Sequence, residues 1–446
     1  MKRIVRVSCV LLAVCLLSVL TGCSMPKLIF NPEELYSLPV LPVKYTELNS
    51  RISEILANEA EYAAPTAGTN IQPVQLVDLD SDGREEAVAF FRKPADEKPL
   101  KIYIFTAEEE SYTQTGLIEG TGTAISSISY NDLDGDGMME LVIGWKATAE
   151  LQVLEVYRHQ GSDADPLVRT NYVKYMDADL DQDGKKELIV LRADEEGSSV
   201  ADYYNWQEDG TLARQVPARI SVTMAELSQQ GRVSAGVLRD EVPALFVTGV
   251  TDAPIAITDI LALRNSELTN IVLSEQTGVS GEIAFFSGLY PADINGDGMT
   301  DVPRPLLLEE QAGSSHLVEW YSYDRSGEAV SQIRTCHNIT DRWYFQMPEE
   351  WRGMIGIQRT TASGEAAVTF FLQETDEPVL RISMYNGGNR EMKAVQGEQF
   401  LLSRQAETLY TAELLEANAD WQYGLTADEV RAAFSLITPE WTTGVN

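Results

Sequence analysis

The chain has 446 residues, 44% of them hydrophobic, enough for two or three domains or one long repeat array with a real core. Lys and Arg number 34 against 68 Asp and Glu, a formal net charge of −34. So acidic a surface repels DNA, RNA and anionic lipid, which excludes a nucleic-acid partner and suits a cation-binding protein.

Residues 1–22 read as a targeting segment. Lys2, Arg3 and Arg6 form a basic start, Val10 to Leu20 is an apolar run too short to span a bilayer, and Leu20-Thr21-Gly22-Cys23 follows. This order of features resembles the signal and lipobox of bacterial lipoproteins, which implies cleavage before Cys23, lipid on Cys23, and a chain anchored on the extracytoplasmic face of the cell membrane. Cys9 and Cys15 then leave with the signal, and Cys336 is left without a partner for an internal disulfide. Residues 23–70 are expected to hold a proline-bearing linker and one amphipathic helix between Tyr45 and Tyr62, from the spacing of Leu48, Ile52, Ile55 and Leu56.

Residues 71–335 carry a recurring nine-residue acidic stretch. It reads Asp78-Leu-Asp-Ser-Asp-Gly-Arg-Glu-Glu86, then Asp132-Leu-Asp-Gly-Asp-Gly-Met-Met-Glu140, Asp179-Leu-Asp-Gln-Asp-Gly-Lys-Lys-Glu187, and Asp293-Ile-Asn-Gly-Asp-Gly-Met-Thr-Asp301. Each runs straight into an apolar segment such as Leu141-Val142-Ile143. The first residues are 54, 47 and 114 positions apart, and the double gap predicts a degenerate member near Gly236 that keeps its strand at Ala244 to Val247 and has lost its acids. Strand-like runs and turn signals fill the intervals, so the period predicts β-propeller blades, five of them countable, beginning near 71, 126, 173, 230 and 286.

Carboxylates crowded this closely call for a cation, and hard oxygen ligands favour calcium over magnesium or a transition metal. A helical EF-hand is excluded, because its twelfth position needs a bidentate acid and here holds Ala89, Ile143, Val190 and Arg304. A short loop with acids at its first, third, fifth and ninth positions, feeding a strand, resembles the calcium loop of the FG-GAP and VCBS repeats of integrin-α-like β-propellers. That resemblance implies about four calcium sites with a structural role. Their side-chain ligands would be Asp78, Asp80, Asp82 and Glu86; Asp132, Asp134, Asp136 and Glu140; Asp179, Asp181, Asp183 and Glu187; and Asp293, Asn295, Asp297 and Asp301. Backbone carbonyls would come from Arg84, Met138, Lys185 and Met299. Glutamate at the ninth position of three loops departs from the family's usual aspartate.

Residues 340–446 read as a small C-terminal α+β domain with strands near Met354 to Gln358, Ala366 to Leu372 and Val379 to Tyr385. A capping box at Thr426 to Glu429 predicts a last helix through Val430, Phe434 and Ile437, stopped by Pro439. No catalytic constellation is recognised: His159, His316 and His337 are the only histidines, and Cys336 and His337, adjacent on a strand, point to opposite faces. The expected fold class is therefore mainly β, a calcium-bound propeller with a small α+β appendage. The expected function is a lipid-anchored binding or scaffold module for a protein or glycan ligand; the alternatives are a surface polysaccharide hydrolase or lyase, or an extracellular sensor.

Overall fold

A computed structural model describes residues 46–108, 111–158, 165–253, 255–285, 288–306 and 315–437. The signal segment, Cys23, the linker and His159 lie outside these residues. The first helix, Thr46–Ala57, buries Leu48 and Ile52 and crosses the border between two compact units, which falls at Ile55 and Leu56. It is shorter than the spacing predicts, because Glu61–Tyr62 pairs as a strand with Glu86–Arg92. Among the described residues no helix is long and apolar enough to cross a membrane.

The second unit is mainly β. Among the described residues six antiparallel sheets follow one another in sequence, most of them simple up-and-down meanders. The first contains Val74–Val77, Glu86–Arg92, Leu100–Ala107 and Tyr112–Gly120; the second Ala124–Asn131, Glu140–Lys146, Gln152–Arg158 and Val168–Tyr172. The third runs from Lys174–Ala178 through Glu187–Ala193 and Ser199–Trp206 to Leu212–Arg214, and the fourth from Arg232–Val237 through Pro243–Val250 and Ile255–Arg264 to Glu267–Asn270. The fifth orders Val302–Pro305, Ser315–Tyr323, Ala329–Asn338, Trp343–Met347 and Phe434–Leu436, and the sixth is built on Ile355–Ala362, Glu365–Leu372, Pro378–Asn386 and Thr408–Leu414.

The apolar runs of the inner repeats are continuous because the strand they form packs against a sheet on both sides. In Glu187–Ala193, Leu188 and Val190 pack with Leu133, Val142 and Leu154 of the preceding unit, whereas Ile189 and Leu191 pack with Leu245, Val247 and Leu261 of the next. Alternate side chains of a strand point to opposite faces, so one strand feeds two cores. Similar clusters join the first sheet to the second, the fourth to the fifth, and the fifth to the sixth.

Three features differ from the sequence expectation. Strands on either side of residue 340 pair with each other, Cys336 opposite Phe345, so the line drawn there runs through one sheet. The sixth sheet continues the series without an acidic loop, and short helices at Arg390–Ala394, Glu416–Asp420 and Ala427–Ala433 accompany it. The capping box at Thr426 does start a helix, but the helix stops at Ala433. Phe434–Leu436 becomes a strand paired with Trp343–Met347, and the Phe434 ring lies 5.9 Å from that of Trp343. Tertiary packing of an aromatic outweighs a weak helical preference there.

Candidate metal centre

Each acidic stretch closes a hairpin at the start of a buried strand. The residue before the stretch pairs with its ninth residue in all four: Val77 with Glu86, Asn131 with Glu140, Ala178 with Glu187 and Ala292 with Asp301. The second residue is an apolar anchor, since Leu79, Leu133, Leu180 and Ile294 are buried. Burying such a side chain is worth roughly 1.5–3 kcal/mol, which fixes the loop to its sheet independently of any ion.

Between these anchors the backbone follows one path. The fourth residue takes a left-handed conformation (Ser81 φ 57°, Gly135 74°, Gln182 63°, Gly296 78°), and so does the sixth, always glycine (φ 86–91°). Glycine at the sixth position accepts this turn without the steric cost a side chain brings. The sixth N–H then donates to the first aspartate's Oδ2, as Gly83 to Asp78 at 3.0 Å and Gly184 to Asp179 at 3.1 Å. The seventh N–H donates to the fifth aspartate at 2.8 Å, for Arg84, Met138, Lys185 and Met299 alike.

In the first and third loops these bonds engage one oxygen of the first aspartate and leave the other over, whereas both oxygens of Asp132 and of Asp293 accept backbone N–H groups. The second residue's N–H binds Oε2 of the ninth residue, Leu79 to Glu86 at 2.9 Å, Leu133 to Glu140 at 2.9 Å and Leu180 to Glu187 at 2.8 Å. Oδ1 of Asp78, Oδ1 of Asp179 and Oε1 of Glu187 are buried with no partner. Buried oxygens without a partner are costly and point to an unseen ligand. Carboxylate oxygens of Asp179, Asp181, Asp183 and Glu187 all lie within 4.8 Å of one another, as do those of Asp78, Asp80 and Glu86, and of Asp132, Asp134 and Asp136. At that spacing two charges repel by roughly 3 kcal/mol at an effective dielectric near 20, before solvent screens the exposed members. Burial pushes Glu140 and Glu187 up to about 7, and the neighbouring aspartates push in the same direction. A bound cation reverses both effects.

The fourth loop is the least complete. Asn295 turns its amide toward Asp297 at 2.8 Å, and both oxygens of fully buried Asp301 lack a partner. Burial, then Asp297 and Asp293, pushes Asp301 up to about 7. Aspartate is one methylene shorter than glutamate, so the backbone of Ile294, which here favours the ionised carboxyl of Asp301, stands in a weaker version of the Leu79–Glu86 relation.

The degenerate stretch near Gly236 supplies the contrast. Its ninth position is fully buried Ala244, and its hairpin closes early, with Val237 paired to Pro243 and Leu238 N–H bonded to the Val242 carbonyl at 2.8 Å. Without acids at its first, third and ninth positions the turn shuts on itself; with them it stays open from the first residue to the ninth.

Elsewhere, polar groups are used up in packing. Glu155, 4% exposed, accepts from the Trp145 indole and the Tyr157 hydroxyl at 2.8 Å each and pairs with Arg169 at 3.1 Å. This network borders a cavity of about 380 Å³ between the first and second sheets, and the spacing of its residues gave no sign of it. Cys336 lies in the core shared with the sixth sheet, whereas His337 stacks on Tyr344 with ring centroids 4.9 Å apart, so the two face apart. Burial raises the Cys336 thiol and lowers His337 to about 3, the reverse of an activated pair.

No family model matches the chain, and no curated protein matches it closely enough to count as a relative.

Proposed function

We propose that the protein is a lipid-anchored, extracytoplasmic β-propeller of the FG-GAP and VCBS type. It binds about four calcium ions as structural ties and acts as a binding or scaffold module for a protein or glycan. One observation carries the reading: the loops beginning at Asp78, Asp179 and Asp293 stay open around buried carboxylate oxygens without a partner, and the hairpin that lacks acids at its first, third and ninth positions closes. Exposed oxygen-rich loops that retain flexibility suit calcium, with affinity of about 10⁻⁴ to 10⁻³ M as in extracellular modules. The series of antiparallel sheets, each containing up-and-down strands and packed on the next, is what blades require. Lipid on Cys23 would fix the module to the membrane and leave its strands outside.

The residues fit such an ion. Asp78, Asp132, Asp179 and Asp293 would hold it together with their third, fifth and ninth neighbours, and the ion would supply positive charge that fastens each loop to its buried strand. Equilibrium dialysis against radioactive calcium tests this. Binding near four ions per chain supports the reading, and no binding at millimolar calcium would sink it.

A further inference from the structure

We propose that the loops beginning at Asp78, Asp132 and Asp179 load calcium as one cooperative group, while the loop beginning at Asp293 loads independently. The inference rests on the calcium reading above and concerns which residues connect the sites.

Adjacent loops are joined by backbone hydrogen bonds in a constant register. The eighth residue of the second loop, Met139, donates its N–H to the carbonyl of Leu79, the second residue of the first, at 2.8 Å. Lys186 of the third loop donates to Leu133 of the second at 2.7 Å in the same way. A further contact runs alongside, since Ser81 Oγ donates to the Gly137 carbonyl at 2.5 Å.

Each of these peptides is tied to a ligand at both ends. Leu79 accepts from Met139 through its carbonyl and, through its own N–H, holds Oε2 of Glu86. Leu133 does the same between Lys186 and Glu140. Met139 stands between Met138, whose carbonyl is a ligand position, and Glu140. An ion that orders the seventh and ninth positions of one loop therefore fixes the eighth N–H, and through it the peptide that aims the ninth carboxylate of the loop before. The orphaned oxygens of Asp78, Asp179 and Glu187 mark the two ends of this ladder as ligand sites in their own right. Two sites that share a positioned element bias one another reciprocally.

The ladder breaks after the third loop. The eighth residue of the degenerate stretch is Pro243, which has no N–H to give to Leu180. Only a long side-chain contact remains, Gln182 Nε2 to the Glu241 carbonyl at 3.5 Å. Beyond it Thr300 of the fourth loop donates to Val237 at 2.8 Å, but the N–H of Val237 meets Thr300 Oγ1 at 3.4 Å, and Ala244 stands where a carboxylate would be. No ligand lies on the near side of that link.

The indole of Trp206 donates to the Lys186 carbonyl at 3.2 Å, so Trp206 reports on the third loop. The test is terbium luminescence sensitised by Trp206 in the full chain, displaced by calcium, with W206F as the check that the signal is local. Asp136→Asn in the second loop, which leaves the Asp134–Arg158 pair beside Trp206 intact, should raise the calcium midpoint at the third loop by about fivefold or more, the lower end of usual coupling. Asp297→Asn in the fourth loop should leave it unchanged. Lys186→Pro, which copies Pro243 and removes no ligand side chain, should flatten the displacement curve. If D136N leaves the midpoint where it was, or D297N moves it equally, the grouping is overturned while the calcium reading stands. If calcium displaces no terbium from the unaltered chain, both fall.

Discussion

The Arg239 guanidinium lies 2.9 Å from the Asp324 carboxylate, and the neighbouring residues repeat the exchange in reverse, Arg325 to Asp240 at 2.9 Å. Arg239 and Asp240 belong to the hairpin that has no acid at its first, third and ninth positions; Asp324 and Arg325 belong to a turn of the fifth sheet. Where other hairpins carry carboxylates for an ion, this one carries a cation and an anion matched to its neighbour.

Because these groups are partly exposed, R239A is expected to cost only about 1 kcal/mol in urea unfolding. High salt should shrink the difference. Calcium should have no influence on the size of the effect.

Acidity should act oppositely with and without calcium. Glu140, Glu187 and Asp301 have folded values near 7, mainly through burial, against ordinary values of 4.5 for glutamate and 3.8 for aspartate. A carboxyl raised on folding contributes stability below its unfolded value and loses it as pH rises through its folded value. The metal-free chain should therefore melt lower as pH climbs through about 7. Calcium needs the ionised form, so its stabilising effect should grow over the same interval. Melting curves with chelator and with calcium, across about pH 5 to 8, measure both slopes.

A methyl group at Gly236 would stand 2.1 Å from Thr300 Oγ1 and 3.0 Å from the Phe246 ring. G236A should destabilise the chain by about 1–3 kcal/mol through overpacking, read by denaturant unfolding. The companion change T300S keeps the hydroxyl and should not rescue it.

Anchoring is checked at one residue. C23S should move the protein from the membrane fraction to the soluble fraction after cell lysis, because the lipidated thioether cannot form. Retention in the membrane would refute lipid attachment at Cys23.

Much of the local architecture was written in short-range spacing. The acids at the first, third, fifth and ninth positions, the glycine at the sixth and the apolar run that follows each specify a loop and a buried strand. The degenerate member near Gly236 was legible from its missing liganding aspartates, but the early closure of its hairpin was not. The ladder from Met139 to Leu79 was not legible, since it joins residues a whole unit apart through backbone atoms that any side chain leaves unchanged. The Glu155 network was hidden likewise, as Trp145 and Tyr157 read as ordinary core aromatics. Phe434 looked helical by period and became a strand because Trp343 lies against it.

Thermal melting of the whole chain in millimolar calcium and in chelator tests the central claim most directly. Ions bound only by the folded state stabilise it by mass action, so occupied loops should raise the melting temperature by several degrees, and Asp134→Ala should remove part of that gain. Identical melting in calcium and in chelator would contradict the account.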